Sequence, residues 1–322
     1  MKAGVGRLLW VSLPAPELTE TDREFLSEID PLGVVIFREN VRDAGQVKDL
    51  IHAIRSLPGS PRLIAVDQEG GRVARLTDGV PRLPPMRTLA VKDVFEVEEA
   101  GESLGRALLA LGFDVDFAPV LDVDSNPTNP IIGDRAFSSD PEEAAKKALA
   151  FARGLLRGGV FPCGKHFPGH GDTSLDSHVD LPVVSADAGL LESRELLPFR
   201  MAADQEIPLM MTAHVVYPAW DTETPATLSR AIVTGLLRER MGYRGLILSD
   251  DLLMSAVSRR GVVAAGLAAL DAGCDGLLVL KNQSEALALY KALEKRLSES
   301  PDRVLPALSR IEDWWARFGA SR

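Results

Sequence analysis

Eight short apolar runs recur along the chain, at Leu8–Leu13, Leu32–Phe37, Leu63–Val66, Val115–Pro119, Val160–Gly164, Leu209–Thr212, Leu246–Leu248 and Leu277–Leu280. Each has the length of a buried strand, and longer stretches with helical spacing of apolar residues lie between them. Strand and helix in alternation build a parallel sheet, and eight such units are the number that closes one into a barrel. The expected fold is α/β, a (β/α)8 TIM barrel spanning 1–322 as a single domain. Helices are expected at Glu20–Ile29, Ala44–Ser56, Val97–Leu111, Pro141–Gly158, Ala188–Asp204, Arg230–Met241, Met254–Ala272 and Ser284–Glu299, with a last one at Arg303–Phe318. No repeat, low-complexity tract or Pro/Gly/Ser-rich linker marks a second domain.

A formal net charge of −10 argues against a nucleic-acid or anionic-membrane surface, both of which require a basic face. A small ligand is the expected partner and a monomer the expected state. The two cysteines, Cys163 and Cys274, sit in apolar contexts and do not form a disulfide framework. The apolar stretch in the N-terminal MKAGVGRLLWVSLP is too short for a secretory leader, and no run approaches the roughly 20 apolar residues of a membrane span. A reduced, cytoplasmic setting is the resulting expectation.

In a βα barrel the active site is built from the C-terminal strand ends. Here the third run leads into Asp67 to Arg72, the fourth into Asp122 and Asp124, and the fifth into Lys165 and His166. The sixth leads into His214, the seventh into Asp250 and Asp251, and the eighth into Lys281. One geometric assumption therefore gathers most of the chain's strand-end charges and histidines into one pocket. Any single acid among them, Asp122 for example, could equally cap the following helix. Six strand ends doing so together are not explained by capping.

The densest cluster is the stretch from Gly164 to Asp180, which holds His166, His170 and His178 among glycines. As a metal site it is poorly spaced: Phe-Pro-Gly between His166 and His170 forbids a helix carrying both, and no H-x-H pair ends an early strand. Acid–base work by one histidine with an aspartate to orient it is the better fit. Asp176 and His178 are two residues apart, on one side of an extended loop, where the carboxylate would favour the imidazolium and fix its tautomer. Adjacent Asp250 and Asp251 would point to opposite sides of an extended chain, one to the barrel mouth as nucleophile or base, the other outward to cap or pair. Lys165 and His166 with Asp67, Arg75 and Arg135 offer hydrogen bonds from several directions, which suits a polyhydroxylated ligand. Asp67 and Arg75 could also be no more than a surface ion pair, and the double glycine Gly70-Gly71 either a close backbone approach or a tight turn.

VDQEGGRVARL (Val66–Leu76), DFAPVLDV (Asp116–Val123), NPIIGDRAF (Asn129–Phe137), KHFPGHGDTSLDSH (Lys165–His178), the LMTAH-like Leu209–His214 and SDDLLM (Ser249–Met254) resemble glycoside hydrolase family 3. More narrowly they resemble its β-N-acetylglucosaminidase branch, the NagZ-type enzymes, to which the long GHGDTxxDSH loop is specific. The resemblance runs in order along nearly the whole chain. It implies Asp250 as nucleophile, His178 as acid/base and Asp176 as its orienting partner. It also implies Asp67, Arg75, Arg135, Lys165 and His166 as the residues that hold the sugar. Many two-domain relatives take a carboxylate acid/base from a second domain, which a one-barrel chain would not have. Ser138 after the GDRAF segment and Ser255–Val257 after SDDLLM depart from the commonest forms, away from the assigned roles.

The implied activity is that of a retaining β-N-acetylglucosaminidase, acting on terminal β-linked N-acetylglucosamine of peptidoglycan fragments through a covalent glycosyl-enzyme. The implied substrate is a muropeptide in which the sugar is joined to N-acetylmuramic acid or its anhydro form, with or without peptide. Neither cofactor nor metal is implied. A glycoside phosphorylase of the same fold is the nearest alternative, because a histidine acid/base leaves room for anionic phosphate. A metal-dependent amidohydrolase is the alternative from another class.

Overall fold

The computed structural model describes residues 4–59, 62–174 and 181–319. The eight strands are β1 (Leu9–Ser12), β2 (Gly33–Ile36), β3 (Leu63–Val66), β4 (Val115–Asp116), β5 (Phe161–Phe167), β6 (Leu209–Thr212), β7 (Leu246–Leu248) and β8 (Leu277–Val279). All pair in parallel, in the order β7-β6-β5-β4-β3-β2-β1-β8. The two ends of the sheet meet through a bridge between Leu248 and Gly276 and a 2.8 Å bond from the Ser249 amide to the Gly276 carbonyl. Every expected apolar run overlaps one of these strands, with β5 running on past Gly164 to Phe167, and the expected barrel is the observed architecture.

The helices of nine residues or more are α1 (Glu20–Ile29), α2 (Ala44–Arg55), α3 (Val94–Leu111), α4 (Pro141–Arg157), α5 (Leu196–Asp204), α6 (Ala231–Arg240), α7 (Val262–Ala272), α8 (Gln283–Glu299) and α9 (Leu305–Phe318). Their starts follow local chemistry. Asp93, Asp140 and Asn282 each accept an amide hydrogen of the first turn, and Pro141 opens α4 where its missing N–H costs nothing. Two expected helices are each divided. The stretch expected to be one helix from Ala188 to Asp204 breaks after Ser193 and restarts at Leu196. A continuous helix would drive the ring of Pro198 into the carbonyl of Arg194, four residues back. The stretch Met254–Ala272 is divided at Gly261, whose φ of +82° is left-handed and precedes α7. The helix α6 is wound in the wider π form.

Trp10 fills the barrel interior against Phe117, with ring centroids 5.8 Å apart. It fits because Gly33 and Gly276 face it: a Cβ on Gly33 would lie 2.0 Å from the Trp10 ring, and one on Gly276 2.7 Å from its indole nitrogen. On the outside, α3 and α4 pack through glycines, since a Cβ on Gly154 would lie 2.1 Å from the Glu98 carbonyl. Cys163 and Cys274 are buried free thiols. Among the described residues no helix is long and apolar enough to cross a membrane.

Candidate active site

Asp67 follows β3 directly and is carried on a hairpin of Gln68–Gly70 against Val73–Ala74. The turn needs left-handed backbone at Gly70 (φ +112°) and Gly71 (φ +56°), which explains the double glycine as a turn. Gln68 staples the hairpin: its Oε1 accepts the amides of Arg75 (2.8 Å) and Leu76 (2.9 Å), and its Nε2 donates to the Leu76 carbonyl (3.0 Å). Arg75 is thereby held beside Asp67, 3.3 Å from Oδ2.

Strand β5 brings the next pair. Side chains alternate along a regular strand, so Lys165 and His166 would face opposite ways. The pairing of β5 with β6 shifts register between Gly164 and Phe167, and both side chains line the same cavity. The peptide joining them is cis. Buried Lys165 donates to Asp67 Oδ1 at 2.7 Å and reaches Glu69 Oε1 at 2.5 Å. Glu69, fully buried, also receives Arg135 in a two-pronged pair, Nε to Oε2 and Nη2 to Oε1, both 2.8 Å. Burial works to raise the Glu69 pKa, but Arg135 and Lys165 overcome it and hold the carboxyl well below its usual range. For Asp67 burial is likewise outweighed, by Lys165 and then Arg75, and its pKa is lowered. Lys165 is held above the usual range for an amine: burial lowers it, and the attraction of Asp67 and Glu69 more than compensates.

His166 is oriented from behind. Its Nδ1 meets Asp122 Oδ2 at 2.7 Å, and Asp122 also accepts the main-chain amides of His166 (3.1 Å) and His170 (2.6 Å). A carboxylate accepts at Nδ1, so that nitrogen carries a proton and Nε2 is turned away from Asp122. Asp122 caps no helix; it organises the Lys165–His170 turn. His170 stacks edge-on to His166, its Nδ1 at 2.9 Å from Thr173 Oγ1. Burial, then the charge of His166, push its pKa down to about 4. Asn129 pins two loops together, donating to the carbonyls of His170 (2.9 Å) and Gly171 (2.8 Å) while accepting the amides of Ile131 and Ile132 at 2.8 Å. That pin delivers Arg135 to Glu69.

Asp250 follows β7 and faces the cavity. Burial would raise its pKa, and the charges of His214 and His166, the Asp251 amide and Lys165 together hold it below the usual carboxylate value. Asp251 points elsewhere, as alternation along the chain requires: its Oδ1 accepts the amides of Leu253 (3.1 Å) and Leu280 (3.2 Å). Burial raises its pKa to about 7.

Asp67, Arg75, Arg135, Lys165, His166 and Asp250 thus line one cavity of about 180 Å³ at the C-terminal strand ends. Asp176 and His178 lie outside the described residues. Glu69, Asp122 and His214 belong to the site, although residue type and spacing alone did not assign them a role there. A strand-end position was the available signal for Asp122 and His214, and for Glu69 its place inside the Asp67–Arg72 segment. A larger hollow, of about 900 Å³, lies between α6, α7 and the start of α9, beside Arg238, Asp271 and Arg310, and gathers none of these groups. Among the described residues no group of three His, Cys, Asp or Glu side chains is placed to hold a metal ion.

Residues 2–313 match the model of the glycosyl hydrolase family 3 N-terminal domain. The chain belongs to glycoside hydrolase family 3. It is 43% identical over 281 residues to a β-hexosaminidase of Thiobacillus denitrificans, covering 84% of this chain and 77% of that one. Among solved structures, a family 3 β-N-acetylglucosaminidase from Paenibacillus superposes over all of this chain with a TM-score of 0.95 at 35% identity; the chain spans 63% of that protein's length. NagZ of Neisseria gonorrhoeae, in complex with N-trifluoroacetyl-D-glucosamine, superposes over 90% of this chain and 85% of its own, with a TM-score of 0.82 at 36% identity. The family membership makes this protein a glycoside hydrolase, of the β-hexosaminidase kind.

Proposed function

We propose that the protein is a retaining β-N-acetylglucosaminidase that removes terminal β-linked N-acetylglucosamine from peptidoglycan fragments, with Asp250 as nucleophile and an Asp176–His178 dyad as acid/base. The observation that carries this reading is Asp250, its pKa held low by its neighbours, facing a ring of hydrogen-bonding groups in one cavity of about 180 Å³. Asp67, Arg75, Lys165 and His166 supply acceptors and donors side by side, which matches vicinal hydroxyls that do both. Glu69 neutralises Lys165 and Arg135 from below and keeps them fixed.

In the first step Asp250 forms a bond to the anomeric carbon as the glycosidic C–O bond breaks, and His178 gives its proton to the departing oxygen. In the second, neutral His178 takes a proton from water, the water oxygen bonds to the anomeric carbon, and the ester to Asp250 breaks. The sugar leaves with its configuration kept and both groups return to their starting states. The relatives carry the names β-hexosaminidase and β-N-acetylglucosaminidase, which favours an acetamido sugar over glucose.

Release of nitrophenol from the β-N-acetylglucosaminide and from the β-glucoside tests the reading, each with and without EDTA and with and without phosphate. Preference for the acetamido sugar, indifferent to both additions, is expected, along with release of N-acetylglucosamine from a disaccharide with N-acetylmuramic acid. Acceleration by phosphate with a sugar phosphate as product would indicate a phosphorylase. Turnover abolished by EDTA would indicate a metal hydrolase.

A further inference from the structure

His214 is fully buried after β6. Its Nε2 lies 3.0 Å from the main-chain carbonyl of Asp251, and its Nδ1 lies 2.9 Å from Thr227 Oγ1. A carbonyl oxygen can only accept, so Nε2 carries a proton. The Thr227 hydroxyl also lies 3.0 Å from the Ala213 carbonyl and 2.8 Å from Thr212 Oγ1, whose own hydrogen reaches the Leu248 carbonyl at 3.2 Å. The imidazole is thus fixed at both nitrogens, and the bond from Nε2 to the Asp251 carbonyl is one in which the ring donates. The residue His214 holds by its carbonyl is the one whose amide donates to Asp250 Oδ1 at 2.8 Å. The Asp251 carboxylate is in turn fixed by the Leu253 and Leu280 amides.

We propose that His214 is the positioning residue of the nucleophile: by donating from Nε2 to the Asp251 carbonyl it fixes the Asp250–Asp251 main chain, and with it the amide that aims the Asp250 carboxylate. The inference rests on the reading of Asp250 as nucleophile. Among the described residues β6 places Met211 and no ionisable side chain at the cavity, and His214 behind it gives that strand a part in the reaction. Of the charges that lower the Asp250 pKa against burial, His214 is the largest, ahead of His166 and Lys165 from β5. Asp67, Glu69, Arg75 and Arg135 share the cavity from the β3 and β4 side, and Asp251 is its neighbour on β7.

The test is kcat and KM, each measured for hydrolysis of the nitrophenyl N-acetylglucosaminide by the wild type, His214→Gln, His214→Phe and Asp250→Asn. Glutamine places an N–H near the position of Nε2 and is expected to keep kcat within about tenfold of wild type. His214→Phe loses the bond to Asp251 and is expected to lose about 10²-fold in kcat with KM little changed. If the phenylalanine variant does not fold, His214→Leu is read in its place. Wild-type kcat in a folded variant lacking the N–H, beside an inactive Asp250→Asn, overturns the inference and leaves the nucleophile standing. Full turnover by Asp250→Asn removes the nucleophile and this inference with it.

Discussion

The main-chain amide of Asp251 donates a 2.8 Å hydrogen bond to Oδ1 of Asp250. Two adjacent acids are thereby given different work: one is presented ionised to the cavity, the other is used up holding turns, and its amide aims the first. Asp250→Asn is expected to lower kcat on the order of 10⁴-fold or more, because no group replaces the nucleophile. Asp251→Asn retains an oxygen able to accept from Leu253 and Leu280, and is expected to stay within about tenfold of wild type, a change too small to reflect a direct chemical role. Comparing the two on one aryl glycoside checks the division; equal losses would contradict it.

The acid/base assignment predicts a dependence on the leaving group. His178→Ala should lose on the order of 10²–10⁴ in rate on a sugar leaving group, which needs protonation to depart. An activated dinitrophenyl leaving group needs little, so glycosylation there should be far less affected. A uniform loss across both substrates would rule out His178 as the proton donor.

Glu69 is a structural counterweight with a functional consequence. It is buried and balances two cations, Lys165 and Arg135. Glu69→Gln keeps the shape, removes the charge and leaves those cations uncompensated. A loss of stability of about 3–5 kcal/mol is expected, visible as a lower Tm, together with a raised KM as Lys165 and Arg135 lose their fixed positions. Unchanged Tm would mean that water or another acid reaches the pair.

Glu195 makes a prediction about stability and pH. Its side chain is buried, with Arg194 Nε on Oε1 at 2.7 Å, and burial raises its pKa to about 7. An acid with a raised pKa in the folded state binds more protons there than when unfolded. Its effect on stability therefore grows more unfavourable as pH rises from the unfolded value, near 4.5, to about 7, and is constant above that. Over that window the group costs about 3 kcal/mol. Asp67, Glu69, Asp122 and Asp250 have the opposite sign: with pKa values lowered by folding, their stabilisation is present above the usual carboxylate range and is lost as pH falls through it. Asp251, its pKa also raised to about 7 by burial, adds to the same decline, so Glu195→Gln, which can still accept from Arg194, should lessen the decline in Tm between mildly acid and neutral pH without moving the loss at low pH. A decline as steep as that of the wild type would locate the buried proton elsewhere.

The strands and most helix starts were legible because they depend on neighbours in sequence. An apolar run of three to six residues and an Asp, Asn or Pro at a helix start act over one turn or one strand. Even the division of the Ala188–Asp204 segment was written locally, in Pro198. The double glycine at Gly70-Gly71 could be read two ways until the backbone angles showed a hairpin turn.

The pairings within the site are a different matter. Lys165 meets Asp67 across 98 residues of sequence, Arg135 meets Glu69 across 66, and His166 meets Asp122 across 44. By itself the sequence determined an eight-strand barrel and delivered acids, histidines and a lysine to its strand ends, because strand length, alternation and capping are short-range properties of the chain. Only the tertiary structure decided which cation neutralises which carboxylate. That depends on how closure of the sheet brings the ends of β3, β5 and β7 to one mouth, and on the register shift in β5 that turns both Lys165 and His166 inward.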